Sequence, residues 1–391
     1  MPVRSACLVW LLLALGCQSA PFSLGNIVVV RVGDGSANGL DVQGSAVFLD
    51  EFTPNGNLQQ SVAVASGSFF AGAITGELLV TRSPSTTYLS LIGYGSTASP
   101  NVFSSPVPRV IARIDCAGNV DTSTQLADQG GRTVFSAVTI DGSQFWFTTN
   151  GGLFHTSLGA TASTYLVGSA ILTRQVNVFD GRLYVVPGVG ASSQIVAADP
   201  GLPVSPPVNL TNLSGLSNVF DAGQFLFVDL DPQVPGVDTL YFAEDDSSSV
   251  YKYGLDPTND TWLPFGSILQ QRVRGLAGRV IEGSQQVLLF LIGSNNELLT
   301  FTDITGERNG TISGTADFLA LAADHTAFRS VSFTPCHLAS SSSGPTSSSS
   351  AVSSSSAMAS SSSPLVSSST MFSSSGEEMN DAAKRQTSVF Q

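Results

Sequence analysis

The stretch RQVNVFDGRLYVV, Arg174 to Val186, decides the fold because the chain writes its plan four times. RTVFSAVTIDGSQFWF (Arg132 to Phe147), RGLAGRVIEGSQQVLLF (Arg274 to Phe290) and RSVSFTP (Arg329 to Pro335) follow the same order. Each opens on Arg and continues into alternating apolar residues, the period of a β-strand. Two then turn at Asp-Gly and one at Glu-Gly, which is hairpin chemistry. The fourth stops before its turn.

Working outward, the chain is a succession of short β-branched and aromatic runs such as QFWFTT, RLYVV, TLYFAE and QVLLFLI, bounded by Gly, Asn, Asp and Pro. No convincing helical period of ten or more residues follows the N-terminal apolar run. The runs cluster in fours with a period of roughly 50 residues, over 76–126, 131–167, 172–212, 219–268 and 272–322. A four-stranded antiparallel unit at that period is a β-propeller blade, which buries its two faces only by stacking against neighbours. The segment 26–65 supplies NIVVVRV, SAVFLDEF and LQQSVAVA, three strands without an innermost partner. RSVSFTP is one strand with nothing after it. Joined, they complete a blade and remove the open edge. The expected fold is therefore an all-β propeller of six four-stranded blades, the first closed by the C-terminal strand. Seven is the count if the irregular stretch 60–106 hides a further sheet. The expected pairing sets Ser330–Thr334 against Ile27–Val32.

Three parts are expected: a signal peptide over 1–20, the propeller over 21–338, and a Ser-rich low-complexity tail over 339–391. The leader carries Arg4 and then CLVWLLLALG, too short to span a bilayer. Cleavage after Ala20 is one expectation, and a lipoprotein site at Cys17 is the alternative. The tail, exemplified by SSSSGPTSSSSAVSSSS, lacks the apolar surface to offset the entropy of ordering and is expected to be disordered. Secretion to the extracellular space or cell surface follows from the leader. Four Asn-X-Ser/Thr sequons, at Asn209, Asn212, Asn259 and Asn309, make N-glycosylation an expectation. Cys116 and Cys336 remain after the leader; an oxidising compartment favours a disulfide between them, with two separate buried thiols as the alternative. The formal net charge of −13 argues against nucleic acid and anionic membrane surfaces as partners. No later segment is apolar enough for an integral membrane span. A monomer that binds an extracellular protein or glycan is the expectation.

Phrases such as VPRVIARIDCAGNVDTST, AVTIDGSQFWF and FVDLDPQVPGVDTLYFAEDD resemble a group of uncharacterised secreted six-bladed β-propeller proteins of the TolB-like, NHL-like class. The resemblance spans about residues 25–335 and implies fold and secretion, without an activity. The tail lies outside it.

Chemistry-bearing residues are sparse. His155, His325 and His337 are the only histidines and no two have metal-ligand spacing. Asp229 and Asp231, two apart, are expected on one face of a strand, with Asp238 returning after a Pro-Gly turn and Glu244, Asp245 and Asp246 beyond the next strand. Such hard oxygen ligands suit Ca²⁺; turn capping is the alternative role. In six-bladed lactonase-like propellers a channel Ca²⁺ can be both structural and catalytic. Arg132, Arg174, Arg274 and Arg329 hold one position at the start of inner strands. They are expected to gather at one mouth of the central channel, either binding a carboxylate or sulfate or tying blades together. The aromatics Phe145, Trp146, Phe147, Tyr184, Tyr241, Phe242 and Phe290 are expected to pack between blades; Trp262, near Asn259, is the weaker case, with exposure as the alternative. These features favour a non-enzymatic binding module with no catalytic residue assigned. The alternative is a Ca²⁺-dependent, lactonase-like hydrolase using a channel metal and carboxylates.

Overall fold

The structure, a computed structural model, describes residues 19–337 apart from 38–39, 41–43, 66, 73, 97–105, 169–172, 188–193, 217–221, 245–248 and 270–271. The chain divides into Met1–Ala339 and Ser340–Gln391. The expected signal peptide (to residue 18), the Ser-rich tail, Asp245 and Asp246 lie outside the described residues.

The fold is all-β. Apart from a single 3-10 turn at Ala127–Gln129, every regular element among the described residues is a strand. The chain opens with β1 (Ile27–Val32), β2 (Ser45–Phe52), β3 (Leu58–Ala63) and the two-residue β4 (Phe70–Ala71). β5 (Thr81–Arg82), β6 (Tyr88–Tyr94), β7 (Arg109–Asp115) and β8 (Val120–Leu126) follow. The next four are β9 (Val134–Thr139), β10 (Gln144–Thr149), β11 (Gly152–Ser157) and β12 (Thr164–Gly168). Then come β13 (Thr173–Phe179), β14 (Arg182–Pro187), β15 (Val196–Asp199) and β16 (Asn209–Asn212). β17 (Ala222–Val228), β18 (Thr239–Glu244), β19 (Ser249–Asp256) and β20 (Thr261–Leu269) form one more set, and β21 (Val273–Val280), β22 (Val287–Gly293), β23 (Glu297–Asp303) and β24 (Asp317–Leu321) another. β25 (Ala327–Phe333) is last.

The sets β9–β12, β13–β16, β17–β20 and β21–β24 are four separate four-stranded antiparallel sheets. The remaining strands form one nine-stranded sheet in which β25 pairs with β1, β1 with β2, β2 with β3, and β5–β8 join through β4. β25 runs antiparallel to β1, with Phe333 opposite Ile27 and Ser330 opposite Val30. The first and last described strands therefore share a sheet. β4 explains the irregularity of 60–106: Ala71 pairs with Ser45 of β2 and Phe70 with Tyr94 of β6, so two residues weld neighbouring sheets. β5 is short because the chain before it serves other strands. Leu79 makes a parallel bridge to Ser136, and the Leu79 N–H donates to the Phe135 carbonyl (2.9 Å).

The innermost strands touch in a closed ring: β5 meets β9, β9 meets β13, β13 meets β17, β17 meets β21, β21 meets β25, and β25 meets β5. This is the arrangement of a β-propeller. Apolar clusters lie between successive strand sets all the way round. Because both faces of each sheet are covered, central strands lose the in–out alternation of a one-sided sheet. In β10, Phe145 through Thr149 are all buried. The outermost strands β12, β16 and β24 are largely exposed, and their sequences are accordingly polar or mixed. The named aromatics Phe145, Trp146, Phe147, Tyr184, Tyr241, Phe242 and Phe290 are buried in these seams. Trp262 is buried as well and the exposed alternative does not hold: its ring centroid lies 5.3 Å from that of Phe227, and its backbone N–H donates to the Ser214 carbonyl in the turn after β16 (2.8 Å), which holds β20 against the neighbouring sheet.

Candidate functional site: the central channel

The inner strands run through the channel from a charged mouth to a turn-lined mouth. Arg174, Arg274 and Arg329 sit at the beginnings of β13, β21 and β25, and Arg132 stands just before β9. Two inner segments lack an Arg there: β17 opens on Ala222-Gly223, and the segment leading into β5 carries Glu77. Its side chain is 1% exposed, and Tyr94 Oη donates to its Oε1 at 2.5 Å. Gly72 lies so close to the carboxylate that no side chain fits there. The Arg174 guanidinium covers Gly76, beside Glu77. Arg329 and Arg109 attract the carboxylate, yet burial is the larger effect and pushes its pKa up to about 7. Arg329 is itself buried, and desolvation together with the neighbouring Arg274 charge brings its pKa down to about 10, with Glu77 opposing. Arg109 is fully buried; its Nε donates to the Arg132 carbonyl (2.6 Å), its Nη1 to the Val107 carbonyl (2.7 Å), and its guanidinium lies 4.6 Å from the Tyr94 ring centroid.

Of the four expected arginines, Arg329 acts on Glu77, Arg274 lies beside Arg329, and Arg174 covers the neighbouring Gly76, whereas Arg132 differs. Its guanidinium turns over the Phe154 ring and against Gly151, on its own sheet. Glu77, Tyr94 and Arg109 are the participants that the Arg repeat did not reveal. The available signal was Glu77 itself, the acidic residue at the start of an inner segment where four of the other five carry Arg.

Below this mouth the channel is plugged. Gln224 is buried; its Nε2 donates to the Val80 carbonyl (2.8 Å), and its Oε1 accepts from the N–H groups of Leu276 (3.1 Å) and Val331 (2.9 Å). One side chain on β17 therefore ties three other inner segments. Gln175 accepts from the Phe225 N–H (2.8 Å). Ser330 Oγ donates to the Leu78 carbonyl (2.6 Å) and accepts from the Val80 N–H (3.1 Å), while Thr81 Oγ1 donates to the Ala137 carbonyl (2.6 Å). Each satisfies a backbone group that the slant of adjacent inner strands leaves out of the ladders.

Beyond the plug lies a cavity of about 300 Å³. Gln175 and Gln224 line it on the plug side, and Arg82, Asn177, Phe179 and Phe333 are among its walls. Asp180 sits where β13 turns into β14, at φ +46°, followed by Gly181 at φ +68°. That Asp-Gly turn is the punctuation expected from Arg174–Val186.

The carboxylates weighed for Ca²⁺ are placed otherwise. β17 ends at Val228, so Asp229 and Asp231 fall in the following turn and not on one strand face, which corrects that expectation. The cause is Asp238. Its Oδ1 accepts from the Leu230 N–H (3.1 Å) and Thr239 Oγ1 (2.7 Å), and its Oδ2 from the Asp231 N–H (2.6 Å). Those bonds bend the chain and occupy the carboxylate that was to be a ligand. Asp231 accepts from the Gln233 N–H (3.1 Å) and faces Arg308 Nε at 3.6 Å. Slight burial and then the Asp238, Asp231 and Asp180 charges raise the pKa of the exposed Asp229. Among the described residues, no three His, Cys, Asp or Glu side chains stand where they could share a metal ion. His155 is buried against Gln144 (3.0 Å), and burial lowers its pKa; His325 is exposed in the turn before β25.

The sulfurs of Cys116 and Cys336 lie 2.07 Å apart, joining the end of β7 to the segment after β25. Asn209 and Asn212 are exposed on the outermost strand β16, and Asn259 and Asn309 are exposed in turns. No helix among the described residues is long and apolar enough to cross a membrane.

No family model and no curated protein matches the chain. Among solved structures it is similar to TolB from Acinetobacter baumannii (11% identity, TM-score 0.46, covering 78% of this chain and 67% of that one). It is also similar to the periplasmic gluconolactonase of Pseudomonas aeruginosa (13%, TM-score 0.39, 76% and 100%). A third is the calcium-binding protein regucalcin from Agrobacterium tumefaciens (13%, TM-score 0.38, 60% and 73%).

Proposed function

We propose that this protein is a secreted or cell-surface six-bladed propeller that acts as a non-enzymatic binding module and receives its ligand at the turn-lined mouth of the channel. The blade count takes the nine-stranded sheet as two blades, β25-β1-β2-β3 and β5-β6-β7-β8, welded by β4. The closed ring of inner strands and the apolar cluster in each seam support that count. Secretion is supported by the apolar leader, and by sequons that all fall at exposed positions where a glycan is tolerated.

The observation that carries the reading is the plug. Gln224, Gln175 and Ser330 are occupied in joining strands, so the channel's polar groups hold the ring together and leave an open cavity on one side. The arginine collar is assigned to clasping, with Glu77 buried beside Arg329. The competing reading is a Ca²⁺-dependent lactonase-like hydrolase. The two part on one experiment: incubation of the full chain with a panel of sugar lactones, with Ca²⁺ and with EGTA, alongside thermal unfolding in each. The expected result is no turnover and no Ca²⁺-dependent shift in Tm. Lactone hydrolysis abolished by EGTA would replace the binding module with the hydrolase.

A further inference from the structure

We propose that the cavity at the turn-lined mouth binds a small organic carboxylate with an aromatic body, its acid group held by Arg82. This rests on the binding-module reading and names its ligand class.

Arg82 lines the cavity; its Nη2 donates to the Cys336 carbonyl (2.9 Å), and its Nε is buried without a partner. A second cation stands beside it. Arg279 repels Arg82, and its guanidinium lies 5.0 Å from the ring centroid of Phe333, itself a wall of the cavity. Among the described residues neither arginine makes an ion pair. In a chain of net charge −13, two adjacent guanidiniums without a carboxylate are the reverse of what chance placement favours. An anion is the group that satisfies both, and a carboxylate matches the planar fork of Arg.

The rest of the wall selects the body. Phe179, Phe225 and Phe333 present aromatic surface, with the Phe179 and Phe225 centroids 5.7 Å apart. A flat ring stacks on such surface at little entropic cost. Asp180 also lines the cavity and, being like-charged, turns a carboxylate toward Arg82. The volume of about 300 Å³ lies at the lower end of the range for small-molecule pockets, which suits a ligand of one or two rings.

The test is calorimetric titration of the full chain with benzoate, phenylacetate, 3-phenylpropionate and indole-3-acetate, each against its primary amide. At least one acid is expected to bind, its amide at least tenfold more weakly. Arg82→Gln is expected to remove the preference. Arg279→Gln, an exposed substitution with no hydrogen bond to lose, is expected to weaken the acid about threefold, more at low salt; it also keeps the test alive if Arg82→Gln fails to fold. Equal binding of acids and amides, an unchanged acid preference in a folded Arg82→Gln, or unchanged affinity in Arg279→Gln overturns the ligand class and leaves the binding module standing. No binding by any acid overturns the proposal; only Ca²⁺-dependent lactone turnover in the parallel assay overturns the function with it.

Discussion

Replacing Glu77 with Gln separates two opposed effects on a buried charge. Ion attraction from Arg329 and Arg109 favours the carboxylate, and burial favours the acid. Burial is the larger, and the folded-state pKa stands near 7 against an ordinary 4.5. The folded protein therefore holds this proton more tightly than the unfolded chain. Below about pH 4.5 both states are protonated and the group imposes no penalty. Between 4.5 and 7 the unfolded chain releases the proton while the folded state retains it, so stability falls as pH rises, and above 7 both are ionised and the loss is complete. A displacement of that size corresponds to about 3 kcal/mol, with a steepest slope of ~1.4 kcal/mol per pH unit. Glu77→Gln keeps an acceptor for Tyr94 Oη and removes the titration. Denaturant unfolding of both proteins, non-reducing, at half-unit steps from pH 4 to 8.5, gives the comparison directly. The stability of wild type minus that of the variant is expected to drop by about 3 kcal/mol across the window, while other titrating groups cancel. A flat difference, or one that rises with pH, would mean that Arg329 and Arg109 dominate and that the collar is an ordinary ion-pair network.

Gln224→Leu leaves the Val80 carbonyl and the Leu276 and Val331 N–H groups buried without partners, and is expected to cost about 3–5 kcal/mol in denaturant unfolding; a loss under 1 kcal/mol would show that the plug is not what ties the ring. Lys252 and Asp303 form a fully buried pair at 2.6 Å, which Tyr241 Oη joins. Lys252→Met is expected to destabilise by about 3–5 kcal/mol, most of it recovered in the double variant Lys252→Met/Asp303→Leu, because the penalty lies in the abandoned charge; equal losses in both would refute that account. The Cys116–Cys336 bond closes a loop spanning 220 residues. Cys116→Ser is expected to cost roughly 5 kcal/mol on the chain-entropy account, and reductant is expected to lower the wild-type protein to the same stability.

Much of the architecture was legible in the residues themselves. The period-two alternation ending in Asp-Gly or Glu-Gly specifies hairpins, because only certain residues tolerate the backbone of a tight turn. The orphan strand RSVSFTP and the three-stranded start at 26–65 implied a shared sheet, since an unpaired edge must find hydrogen bonds somewhere. What pattern could not reach was the weld at β4. Two residues carry no periodicity, and Phe70–Ala71 pairs only because two sheets happen to flank it. Trp262 is ambiguous for a related reason: the turn residues around it suggest solvent, and the Ser214 carbonyl that its N–H meets lies outside its own sheet. Asp229 and Asp231 look like a ligand pair as long as the strand is taken to continue, and Asp238, seven residues on, ends it.

The residue order by itself determined that the chain would form short antiparallel strands in sets, with arginines recurring at the start of inner ones. Local backbone preference and side-chain alternation act over a few residues, so they are written locally. Only the closed ring decided what those arginines face, that Glu77 is buried beside Arg329 and Arg109 with a pKa raised by that burial, that Gln224 bridges three other strands, and that Arg82 ends beside Arg279 without a carboxylate. Desolvation and charge pairing depend on which atoms meet across hundreds of residues, and such meetings exist only once the sheets have closed on one another.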